Sequence, residues 1–153
     1  MFAKPMATVR GRLQDDKFYV PLVVNGVQVP GMVFDTGAFG FIFSGRVAKL
    51  LNLPRLGRVN LRGIGGTTAA YRSKCTIQIG HRTYSNVQCI VVPRLSYDGL
   101  FGLRFFITHR LKVELDPVSQ TLTIRKAASD RLPLFERSVR NRPKTAWKPT
   151  TKT

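Results

Sequence analysis

The chain has 153 residues, 43% hydrophobic and 22% charged, a size and composition that suit one folded domain and exclude both two independent cores and wholesale disorder. Its 25 Lys and Arg against 8 Asp and Glu give a formal charge of +17, which attracts nucleic acid, anionic membranes or acidic proteins without naming any of them. No run of about eighteen apolar residues occurs, and residues 1–13 hold no signal-peptide core, so a soluble, cytoplasmic protein without membrane insertion is expected.

Residues 1–17 read as an N-terminal segment. Residues 18–34 then read as two strands around Asn25-Gly26, a dipeptide suited to the positive backbone angles of a tight hairpin turn. Pro21 and Pro30 donate no ladder hydrogen bond and are expected at edge or bulge positions. After a loop over 35–43, Ser44 is the expected cap of a short helix with Val47, Ala48, Leu50 and Leu51 on its apolar face, stopped by Pro54. Residues 58–61 and 69–74 predict a second hairpin, its easily bent tip formed by Gly63, Ile64, Gly65 and Gly66.

Residues 76–79 alternate, 80–82 turn the chain, and 87–92 form a nearly continuous apolar run, which predicts a strand buried on both faces and ended by Pro93. Residues 103–109 predict a short helix with Leu103, Phe106 and Ile107 inward, and 111–115 pairs with 121–125 around Asp116-Pro117. The fold class is therefore all-β with one or two short helices, in a domain spanning 18–125. Residues 126–153 hold eight basic and two acidic residues with little periodicity and read as a basic, flexible tail. That tail carries +6 of the +17 and leaves +11 on residues 1–125.

Cys75 and Cys89 are the only cysteines, too few for a disulfide framework and not spaced as a zinc knuckle, so both read as buried small hydrophobes. His81 and His109 stand apart from each other and from the cysteines, so neither a metal site nor a His-activated nucleophile is expected. The chemistry concentrates in 33–38, where Asp35 follows an apolar strand and precedes Thr36, Gly37 and Ala38. Taken alone, such a triplet also fits an acid that merely caps its own turn.

Three further features follow in order: Ser44 with its helix, the Gly63-Ile64-Gly65-Gly66 tip, and Leu100-Phe101-Gly102 before the last helix. With the Asp35-Thr36-Gly37-Ala38 turn, they resemble the retropepsin-like aspartic proteases from about residue 18 to 124. The run from Asp98 to Leu103 is more similar to cellular and bacterial members than to viral ones. Two departures stand out. Phe39 and Gly40 occupy positions where viral enzymes often carry acids, and Arg104 stands where cellular relatives commonly have Asp, so the ion pairs of those acids are absent.

The resemblance implies a closed, barrel-like fold that dimerises with itself, because this route to peptide hydrolysis needs one carboxyl group to take a proton from water and another to give one to the carbonyl oxygen. The chain has one such triplet; none of Asp15, Asp16, Asp98, Asp116 or Asp130 is followed by Thr or Ser and then Gly. A symmetric partner supplies the second acid. The implied catalytic residues are Asp35, Thr36 and Gly37. The implied substrate-binding residues are Ala38, Phe39, Ile64, Gly65, Gly66 and Leu100, acting on an extended polypeptide with no metal or organic cofactor.

Two other readings remain open at this level. One is a dimerising scaffold that uses the fold without catalysis. The other is nucleic-acid or acidic-partner binding through the tail, where Trp147 stands among basic residues including Arg142, Lys144 and Lys148.

Overall fold

The computed structural model describes residues 4–63 and 65–127. The elements in chain order are β1 (Ala7–Arg10), β2 (Arg12–Gln14), β3 (Lys17–Val24), β4 (Val27–Phe34), β5 (Phe41–Ser44), α1 (Gly45–Leu50), β6 (Gly57–Gly63), β7 (Gly66–Ile79), β8 (Arg82–Val92), β9 (Gly99–Phe101), α2 (Arg104–His109), β10 (Leu111–Asp116) and β11 (Thr121–Lys126). A small sheet has the order β1-β11-β10, and a larger one has the order β2-β3-β4-β9-β5-β8-β7-β6. Because β3 also pairs with β7, the larger sheet closes on itself into a barrel-like shell.

The first hairpin forms where its turn chemistry requires it. Asn25 and Gly26 take φ of 50° and 76°, the mirror-image turn that matches strand twist. The Asn25 side chain accepts from the Thr76 amide at 2.8 Å and donates to the Leu51 carbonyl at 3.3 Å, pinning the turn to β7 and to the end of α1. Register passes from Val20 opposite Met32 to Leu22 opposite Val29, so Pro21 faces both Pro30 and Gly31. Both prolines thus lie in a bulge, as their missing donors demand.

In α1 the Ser44 hydroxyl accepts from the Val47 amide at 3.2 Å. Val47, Ala48 and Leu51 are buried, but Leu50, expected on the same face, is 67% exposed. The first three are spaced i, i+1 and i+4, and Leu50 falls beyond the edge of that face. A larger correction concerns α2: Phe105 and Phe106 are buried, whereas Leu103 and Ile107 are 40% and 65% exposed. Leu103 lies just before the helix, and the Phe105 and Phe106 rings pack on Phe41 and Phe101, with centroids 5.2 and 4.8 Å apart.

Three other expectations need revision. In β8 only Cys89, Val91 and Val92 are buried, and Gln88 is exposed; both faces are covered only at the end paired with β5, where Val91 enters the main core and Val92 packs with Ile42 and Ala70. Residues 35–43, expected as loop, end in strand β5. Residues 7–14, from the N-terminal segment, form β1 against β11 and β2 against β3. Cys75 and Cys89 are buried and free, as anticipated. The hydrogen bond between their side chains, together with burial, pushes the Cys75 thiol up, so it stays protonated at neutral pH.

His109 closes α2 with its ring 4.5 Å from that of Tyr84 and 4.6 Å from that of Phe105, and burial lowers its pKa below the usual 6.5. As pH falls through that value, the unfolded chain binds the proton first, so the contribution of His109 to stability is lost between pH 6.5 and its lowered folded-state value. We predict that His109→Gln flattens this part of the stability profile, measured by urea denaturation at a series of pH values. Ser44→Ala, which removes the α1 cap, is expected to cost about 1 kcal/mol with an unchanged urea slope.

Candidate active site

Short strand β9 organises the site. It lies parallel to β4, with Phe101 opposite Phe34, and antiparallel to β5, with Phe101 opposite Phe41. The chain leaving β4 cannot pair directly with β5, so residues 35–40 must cross the end of β9. The Asp35 amide donates to the Phe101 carbonyl at 3.0 Å, and the Ala38 amide donates to the Asp35 carbonyl at 3.1 Å, closing a tight turn. Within that turn the Gly37 amide donates to Asp35 Oδ1 at 2.9 Å. A backbone donor therefore orients the carboxylate.

The other side of the loop is tied to the start of α2. Amides of Gly102, Leu103 and Arg104 donate to the carbonyls of Gly40, Ala38 and Phe39 at 3.0, 3.4 and 3.1 Å. Below, the Phe101 ring stacks on Phe41 with centroids 4.8 Å apart. Asp98 steadies β9 from its N-terminal side: its carboxylate accepts from the Gly31 amide at 3.0 Å and pairs with Arg46. That residue joins the β4 bulge to α1.

Asp35 is half-buried, and Thr36 and Gly37 are exposed. The carboxylate lines a cleft of about 400 Å³ whose walls include Phe18, Val33, Tyr97 and Leu100, with Asp16 and Lys17 at the turn between β2 and β3. An apolar wall adjoins it, where Ala38 and Leu100 pack with Val59 and Leu61 of β6 around Ile42, Ala70 and Val92. β6 and β7 extend as a hairpin arm whose end pairs Gly63 with Gly66. Gly66 takes φ of 116°, and the space around Gly63, Gly65 and Gly66 is open. Among the described residues no group of three or more His, Cys, Asp or Glu is arranged to hold a metal ion.

Of the residues singled out from sequence, the fold thus gathers Asp35, Thr36, Gly37 and Ala38 on one loop and sets Leu100 beside them. Gly65 and Gly66 stand at the arm tip, and Ile64 lies outside the described residues. Phe39 is 62% exposed and, instead of lining the cleft, its ring lies 4.0 Å from the Arg104 guanidinium. Phe18, Lys17 and Tyr97 were not legible as site residues. Tyr97 comes from the irregular stretch before β9, where its ring meets Tyr19 at 6.5 Å, and no local motif marks either partner.

Gly102 is the tightest point of the support, because a Cβ there would overlap the Ala38 carbonyl oxygen. Gly102→Ala must displace the Asp35 loop. We expect it to lower stability by about 1–3 kcal/mol and to shift amide resonances across 35–40, both measurable on the purified chain. An unshifted loop would mean that the α2 connection does not position Asp35.

Comparison with known proteins agrees with this architecture. A family model described as "Aspartyl protease" matches residues 20–105, a stretch that runs from the first hairpin through the Asp35 loop, the arm and β9 into α2. The fold resembles the crystal structure of a retropepsin-like aspartic protease from Rickettsia conorii, with 21% identity and a TM-score of 0.56 over 77% of this chain and 86% of that one. No curated protein matches the sequence. The chain belongs to the aspartyl protease family and has its sheet-rich, retropepsin-like fold.

Proposed function

We propose that the chain is an aspartic endopeptidase that works as a homodimer, with Asp35 of each subunit supplying half of the catalytic pair. The observation that carries this reading is the Asp35 turn itself: a carboxylate oriented by the Gly37 amide, on a loop clamped from two sides, facing an open cleft. The other acid lining that cleft, Asp16, sits on an exposed turn, a poor place to hold a proton donor in working geometry. A second Asp35 meets that need. The exposed Thr36 and Gly37 fit a role at the contact between two such loops.

In this mechanism one carboxylate removes a proton from water as its oxygen attacks the peptide carbonyl, and the other gives a proton to the carbonyl oxygen. Collapse of the tetrahedral intermediate breaks the C–N bond, with the proton passing to the leaving amine. The arm ending in Gly63, Gly65 and Gly66 would close over an extended substrate and offer its backbone as an added strand. Ala38, Leu100, Val59 and Leu61 would hold apolar side chains near the scissile bond. Phe39 lies outside this cleft, so its part in substrate binding is taken as indirect, through Arg104. Of the segment read as a basic tail, Lys126 ends β11, and residues 128–153 lie outside the described residues.

Asp35→Asn preserves shape but not the proton transfer. We predict that it lowers cleavage of an unstructured peptide library by about a hundredfold or more, while sedimentation finds the same dimer as the unmodified chain. A statine-type peptide, which mimics the tetrahedral intermediate, should bind the unmodified protein. Equal cleavage by the Asn variant refutes the role of Asp35, and an active monomer refutes the paired mechanism.

A further inference from the structure

The outer edge of the Asp35 loop carries a cation fixed in place. Arg104 is tied to this loop by its amide, which donates to the Phe39 carbonyl at 3.1 Å. Its guanidinium carbon lies 4.0 Å from the centroid of the Phe39 ring, and a Cβ built at Gly40 would come within 3.6 Å of the Arg104 Cβ. Stacking engages the flat face of a guanidinium and leaves the N–H donors around its edge directed outward, ready for bidentate binding to a carboxylate. The side chain is therefore restrained before any ligand arrives, which lowers the entropy lost on pairing.

The charge of the span that follows Asp35 is one-sided. From residue 36 to residue 97 the sequence holds nine Lys and Arg and no Asp or Glu, and this span makes the rest of the loop, α1 and the whole β6–β8 arm. The next acid, Asp98, is engaged by Arg46 and the Gly31 amide. Apart from Asp35, whose Oδ1 accepts from the Gly37 amide, the loop offers Arg104 no carboxylate, since Phe39 and Gly40 follow Ala38. Closer to Asp35, the Ala38–Leu100 wall is apolar.

Resting on the peptidase reading above, we propose that Arg104, steadied by Phe39, is a specificity-determining residue that selects substrates bearing an acidic side chain displaced from the scissile bond. The preferred substrate is an extended peptide with apolar residues at the cleaved bond and a Glu or Asp farther out, where an exposed guanidinium reaches it. A charge-assisted pair of this kind discriminates more sharply than the general field of a basic protein, because it acts at one position and fails when its donor is removed.

The test uses the full chain and a set of otherwise identical peptides in which one Glu, Gln or Lys is moved outward on either side of an apolar cleavage site. The unmodified protein should favour Glu over Lys at one position by about tenfold in kcat/KM. Arg104→Gln should abolish that preference and Arg104→Glu should invert it. Lys49→Gln, which removes an equal charge from the exposed side of α1, should leave it intact. A preference unchanged in Arg104→Gln, an equal change in Lys49→Gln, or a weakened dimer with unaltered preference overturns the proposal. If no peptide is cleaved, the peptidase reading fails by itself. Anisotropy with the same labelled peptides then decides this inference: Glu-selective binding lost in Arg104→Gln supports it, and indifferent binding rejects it.

Discussion

The site depends on β9 being held between β4 and β5. Its Phe101 is paired on one side with Phe34 and on the other with Phe41, and the Phe101 carbonyl receives the Asp35 amide. With that strand in place the 35–40 segment has no path except across its end, which sets an acidic residue upright over a rigid floor of stacked rings. The α2 connection then completes the support, as three successive amides reach back to the loop. A carboxylate held by a backbone donor on a short, doubly tethered turn is pre-organised, and proton transfer rewards that rigidity.

Around this fixed point the molecule divides its surface by chemistry. The apolar wall formed by Ala38, Leu100, Val59 and Leu61 continues from the loop onto the arm, while the arginines at 58 and 62 on β6 alternate with those apolar residues and are exposed. This is the period-two logic of a strand with one covered and one solvated face. The same residues that make the arm a stable hairpin therefore also give it an apolar underside and a basic back. An excess of positive charge that names no partner by itself acquires a position when an arginine is seen stacked beside the site.

The departures from family pattern at Phe39 and Arg104 also become intelligible together. An acid in the loop would neutralise the arginine; an aromatic ring holds it in place without neutralising it. The loop keeps a clamp on α2 at this point, but one made of dispersion and ring electrostatics in addition to the backbone bond. The Asp98 latch on the opposite flank retains an ion pair, where the carboxylate also satisfies the amide at the β4 bulge.

What the sequence by itself determined was local. Asn25-Gly26 specifies its hairpin turn through backbone angles, Ser44 specifies a helix start through one hydroxyl, and Asp35-Thr36-Gly37 announces an acidic turn. Each depends on residues within a few positions of one another. Tertiary structure decided β1, β5 and β9, whose hydrogen-bond partners lie far along the chain and whose short lengths carry little periodic signal; β2 pairs with its neighbour β3 but, at three residues, carries no periodic signal either. It also chose the inward face of α2, because residues 103–107 offer apolar side chains around most of the helix and only the rings of Phe41 and Phe101 select Phe105 and Phe106 over Leu103 and Ile107. Short-range geometry is written in neighbouring residues; packing choices among equivalent apolar side chains exist only once the distant strands have met.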